Sequence, residues 1–355
     1  MPLSDRPAVA DAGHTPLFSP SQSHSESAAN AESIESDDVG PLAEPSLSPP
    51  RPMMQPQDAS PRNTPPRNTP PPRPLRNRVA VTQHTFGSWD LAESLVECQR
   101  AGIGAIGLSL PKVRVEGYSR VAEMVDASPI EVSSLNWIAG FTGQNGHRLD
   151  DTMDEAYELI RLAARFGAPT VTVITGPQGT HIRNHVTKLF IAKLRELADF
   201  ADFFRVDLAV LPMTDQHRGA WTFLDTLPRA LDVVHAVDRP SVGLAINTAF
   251  VWRQRGLPAL LRDAAAVTKL VKVSDCSGRP RHANDQRLPG TGRVRTTAIA
   301  AALDGAGFRG YYELDVWSEG LWRSGDYARV LESYAGLSFG TRPALAPPSD
   351  RPVVA

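Results

Sequence analysis

The chain has 355 residues, a formal net charge of −2 and two cysteines. That balance excludes the basic excess of a nucleic-acid binder, and two isolated cysteines exclude a disulfide framework and point to a reducing, cytoplasmic setting. No cationic start precedes an apolar core of signal-peptide length, and no apolar run is long enough to span a bilayer, so no membrane partner is expected.

Residues 1–76 hold 17 of the 31 prolines and, apart from Phe18, no aromatic residue. Such a stretch buries too little apolar area to offset the entropy of ordering, and the expectation is a disordered Pro/Ser-rich arm. Its tandem PRNTP repeat, Pro61 to Pro70, favours an extended left-handed helix of the kind that peptide-binding domains read. A solvated tail, or a translation start near Met53, are the plainer readings. Nine acids against six bases in the arm leave the remainder of the chain near +1.

From Arg78 onward, short β-branched runs alternate with amphipathic stretches of helical length. Strands are expected at 79–83, 105–110, 131–137, 170–175, 207–211, 242–247, 269–274 and 311–316. The helices between them are expected at 91–101, 118–127, 151–166, 181–204, 221–237, 257–265, 294–306 and 326–335. In the third of these, Met153, Ala156, Leu159, Ile160 and Ala163 form a 3.6-residue stripe that would pack on a sheet. Eight strands alternating with eight helices predict a closed (β/α)8 TIM barrel over residues 77–340, followed by a loose tail over 341–355. Its chemistry would lie at the C-terminal ends of the strands, where side chains face a cleft.

The opening VAVTQHTFGSWDLAESLVECQRAGIGAIGLSL, the loop DQRLPGTGRV and the last strand GYYELDVWSEGLW resemble the xylose isomerase-like barrel superfamily of sugar phosphate isomerases and epimerases. The resemblance covers about Arg78 to Gly340. It implies a sugar or sugar phosphate as ligand and a divalent cation held by carboxylates and an imidazole, which helps move a proton or hydride between adjacent carbons.

All four ligand positions that the resemblance implies are changed. Leu211 stands where the fifth strand carries glutamate; Asn247 and Phe250 replace the aspartate and histidine of the sixth. Lys272 lies three residues before Asp275, where His or Gln is usual, and Asp315 replaces the last glutamate. A hard cation needs oxygen ligands that neutralise it, and a protonated lysine offers repulsion and no lone pair. No catalytic metal or other cofactor is therefore expected there. Lys272 would supply the positive charge, Asp315 a negative one, and Asn247 a hydrogen bond to either. A register slip of one residue would instead turn Lys272 outward.

The catalytic candidates are Lys272, Asp315, Asn247 and Glu313, the last one layer below Asp315. If burial lowers its pKa, Lys272 is a base or a Schiff-base former. The substrate-binding candidates are His84, Asn136, His217, Asp275 and Arg287. Gly290 and Gly292 offer either backbone N–H groups for a phosphate or a turn needing positive φ. His181 and His185, four apart, read as an ordinary helix surface. Three functions stay open: a metal-free isomerase or epimerase relative, a non-catalytic sugar binder, and an isomerase whose metal has moved to His84, His217 and Asp275. A homo-oligomer is compatible with all three.

Overall fold

The computed structural model describes residues 78–335, except 145, 147, 279–281 and 283. The expected arm and tail lie outside these residues. Eight parallel strands close into one barrel in sequence order: β1 (Val79–Thr82), β2 (Ala105–Ser109), β3 (Glu131–Ile138), β4 (Thr170–Val173), β5 (Asp207–Val210), β6 (Val242–Asn247), β7 (Thr268–Val273) and β8 (Tyr311–Leu314). Closure comes from β1 pairing with β8, so no strand edge is left open.

The helices are α1 (Leu91–Arg100), α2 (Leu110–Glu116), α3 (Tyr118–Asp126), α4 (Leu149–Arg165), α5 (Arg183–Phe204), α6 (Leu227–Val237), α7 (Thr248–Val251), α8 (Leu257–Ala265), α9 (Thr296–Gly305), α10 (Glu319–Ser324) and α11 (Ala328–Ala335). Local chemistry explains their ends. Asp90 accepts the Glu93 N–H while the Glu93 carboxylate accepts the Asp90 N–H, a reciprocal cap on α1. The stripe expected on α4 is buried at all five positions. None of the described helices is long and apolar enough to cross a membrane.

Two local expectations fail. The helix expected from Trp221 begins only at Leu227, because Thr222 and Asp225 hold 221–226 as a loop and proline stands in the first turn of α6. The short helices α2, α7 and α10 were not expected. They begin at a proline in the first turn, at the Asn247 side chain accepting from the Ala249 N–H, and at Ser318 Oγ accepting from the Leu321 N–H.

The strand register decides what faces the interior. Asn247 lies beside Lys272, Lys272 beside Glu313, and Glu313 beside Ala80, so these neighbours point to the same side of the sheet. Tyr312, between two inward residues, points the other way and donates its hydroxyl to the Ala300 carbonyl on α9. The register slip that would have turned Lys272 outward is not what the fold adopts.

Candidate functional site

Lys272 is 2 % exposed and its ammonium lies inside the barrel. Nζ donates to Glu313 Oε2 at 2.9 Å and lies 3.4 Å from Asp315 Oδ2. Burial pulls the pKa of this amine down, but the Asp315 and Glu313 carboxylates outweigh it, and the net shift is upward from the usual 10.5. The expectation of a desolvated lysine with a lowered pKa is thereby corrected: two adjacent negative charges hold the proton on.

Hydroxyls complete the shell. Ser133 and Ser134, on β3, donate to Glu313 Oε1 at 2.7 and 2.6 Å. Gly107 on β2 makes room for that carboxylate, since a Cβ there would lie 2.7 Å from Glu313 Oε1. Asp315 Oδ1 accepts from Thr82 Oγ1 at 2.7 Å and from Trp317 Nε1 at 3.3 Å. The Lys272–Glu313 contact, one layer deeper than the expected Lys272–Asp315 pair, is the shorter of the two. Asn247 does not bridge them through its oxygen, as expected, because Oδ1 accepts from Ser274 Oγ and the Ala249 N–H.

The expected substrate contacts have mostly other work. Asn136 is 1 % exposed; its amide donates to Ser134 Oγ at 2.8 Å and accepts from Thr172 Oγ1 at 2.6 Å. Asp275 is fully buried, and its two oxygens accept backbone N–H groups from Cys276, Gly290, Gly292 and Val294 at 2.7 to 3.1 Å. That arrangement also corrects the phosphate reading of Gly290 and Gly292, whose N–H groups already point at Asp275. Gly290 has φ +82°, so the turn reading holds there. Arg287 is exposed and lines a cavity of about 640 Å³ between the loops after β7 and β8, to the side of the buried network.

His84 lies under the mouth, with Nδ1 3.8 Å from Asp315 Oδ1. Burial, then the positive charges of Lys272 and Lys112, push its pKa well below 6.5, so it is neutral near pH 7. His217 packs on Phe250 with ring centroids 5.0 Å apart, and burial takes its pKa down to about 4. Among the described residues no three His, Cys, Asp or Glu side chains are grouped to hold a metal, so His84, His217 and Asp275 do not form the relocated site considered above. His181 and His185 do meet, at 5.6 Å between rings, but His181 Nε2 lies 2.9 Å from the Thr142 carbonyl oxygen, a contact that holds a loop.

Three tryptophans that sequence reasoning did not place at the mouth lie over this network. The rings of Trp137, Trp221 and Trp317 are mutually 5.4 to 5.9 Å apart, and His84 lies 5.0 Å from Trp137. Trp137 and Trp221 are half-buried, whereas Trp317 is 6 % exposed. The first and last follow directly from strand ends, a signal legible in the sequence; Trp221 was hidden by the helix expected there.

The family-implied donor set does not fit a divalent cation. Of its positions Leu211 is carbon, Phe250 covers His217, and an ammonium already stands between the carboxylates.

A model of the xylose isomerase-like TIM barrel matches residues 95–335. Among solved structures, protein SMc04130 from Sinorhizobium meliloti 1021 is similar at 20 % identity with a TM-score of 0.68, covering 74 % of this chain and 98 % of that one. The IOLI protein, solved with a bound zinc atom, is similar at 17 % identity and a TM-score of 0.63, covering 73 % and 95 %. D-psicose 3-epimerase from Clostridium cellulolyticum H10, solved with D-tagatose, is similar at 14 % identity and a TM-score of 0.60, covering 74 % and 97 %. At these identities the likeness is one of fold. No curated protein matches the chain.

Proposed function

This chain belongs to the xylose isomerase-like TIM barrel family, and from that premise we propose that it binds a sugar or sugar phosphate at the barrel mouth without a divalent cation and without turnover. The observation that carries this reading is the Lys272 ammonium, 2.9 Å from Glu313 and 3.4 Å from Asp315, where the family resemblance expects a metal. A cation fixed on a side chain, with its proton held by two carboxylates, is a poor base and a poor nucleophile. It offsets one of the two buried carboxylate charges without a metal.

Binding would fall to the groups above it. The half-buried rings of Trp137 and Trp221 offer flat apolar faces to the C–H side of a sugar ring, and Trp317 sets the floor. A ketose is the first ligand class to try, because an epimerase of the same fold was solved with D-tagatose.

The test joins elemental analysis of the purified protein to thermal unfolding with a panel of ketoses and their phosphates. The expected result is no stoichiometric Mn, Zn or Mg, a ligand-dependent rise in Tm, and unchanged sugar after long incubation. Retention of one metal per chain, or interconversion of a ketose with its epimer or aldose, would sink this reading.

A further inference from the structure

The charges beneath the tryptophans do not cancel. One ammonium, Lys272, faces two carboxylates, Glu313 and Asp315, all at most 2 % exposed, which leaves a formal charge of −1 in a space sealed from water. Among the described residues, two further charged groups nearby are already engaged. Lys112 Nζ donates to the carbonyls of Phe86 and Trp89, and Asp275 is enclosed by four backbone N–H groups. Within the network Asp315 is the less satisfied carboxylate. Its Oδ2 lies 3.4 Å from the ammonium but accepts no well-aligned hydrogen bond, while both Glu313 oxygens do. Asp315 is also the carboxylate nearest the rings, through Trp317 Nε1 at 3.3 Å.

Aromatic faces carry negative charge at their centres and attract ammonium groups, more so when water is excluded. A buried negative charge directly behind such faces adds to the same field, because a low-dielectric wall screens it poorly. We propose that the ligand carries a cationic amino group, held against the Trp137 and Trp221 rings above the uncompensated charge of the Lys272, Glu313 and Asp315 network. The inference rests on the sugar-binding reading and narrows it: an amino sugar is preferred to its neutral counterpart.

Tryptophan fluorescence and calorimetric titrations of the full chain with D-glucosamine, D-glucose and N-acetyl-D-glucosamine test it. D-glucosamine should bind about tenfold tighter than either neutral sugar. Asp315→Asn should bring the three affinities together, and Trp221→Leu, a change on a loop, should weaken D-glucosamine several-fold. If Asp315→Asn does not fold, the wild-type ratio and the Trp221→Leu variant decide the matter alone. Equal affinity for all three sugars in the wild-type protein overturns the amine preference while leaving sugar binding in place. Absence of binding by all three, together with a ketose panel that leaves Tm unchanged, removes both.

Discussion

Two buried carboxylate sites, one formed by Glu313 and Asp315 and the other by Asp275, are stabilised in opposite ways. Inside the barrel, Glu313 and Asp315 face the ammonium of one side chain, Lys272. In the loop after β7, Asp275 is paired with no cation among the described residues and is held by four backbone N–H groups, two of them from glycines. A side-chain cation makes a site depend on one residue type. A backbone nest depends instead on loop conformation, which many residues share, as with Gly292, where a Cβ would lie 2.4 Å from Asp275 Oδ1.

The largest effect expected from breaking this contrast comes from Lys272→Met. It leaves two carboxylates buried without a cation and should cost about 3 to 5 kcal/mol in denaturant unfolding. Adding Glu313→Gln and Asp315→Asn should recover much of that loss, since the neutral set has no charge to desolvate. A triple variant as unstable as the single one would show that Lys272 matters by its packing alone.

Asp275→Asn should cost less, about 2 kcal/mol, because an amide oxygen can still accept part of the N–H set but loses the charge that strengthens each bond. The loss should be confined to the 275–294 loop, read as faster amide exchange at Gly290, Gly292 and Val294. Uniformly faster exchange through β7 and β8 would contradict a purely local role.

The smallest effect near neutrality is one of pH. The folded-state pKa of Lys272 lies above its usual 10.5, so its contribution is fully present below that value and is lost only as pH rises through the folded pKa. Wild-type stability should therefore fall at strongly alkaline pH more steeply than that of Lys272→Met, and the two should run parallel between pH 7 and about 10. The Asp275 nest contributes no such alkaline limb; an identical limb in both proteins would assign it to other groups.

The eight strands were legible because β-branched runs alternated with helical stripes, and most boundaries fell within two residues. The loop 221–226 was not, since its apolar residues mimic a helical face and only the Asp225 pairs with Arg218 and Arg229 reveal the turn. For the site, residue types and strand positions of Lys272, Glu313 and Asp315 could be read in advance. Which carboxylate the ammonium meets first could not, because the 2.9 and 3.4 Å distances follow from β7 and β8 being in register around a closed barrel.

What the sequence alone determined is therefore the fold class and the residue types, Leu211, Asn247, Lys272 and Asp315, that stand at four strand ends, since periodicity and side-chain chemistry are local properties. The closed tertiary structure decided that Asp275 turns from the mouth into a nest, that Lys272 is a locked ammonium, and that three tryptophans, one on β3 and two on loops, meet above it. Those outcomes depend on contacts between residues far apart in sequence, such as that of Thr82 with Asp315, 233 positions away. No local pattern encodes such contacts until the barrel closes.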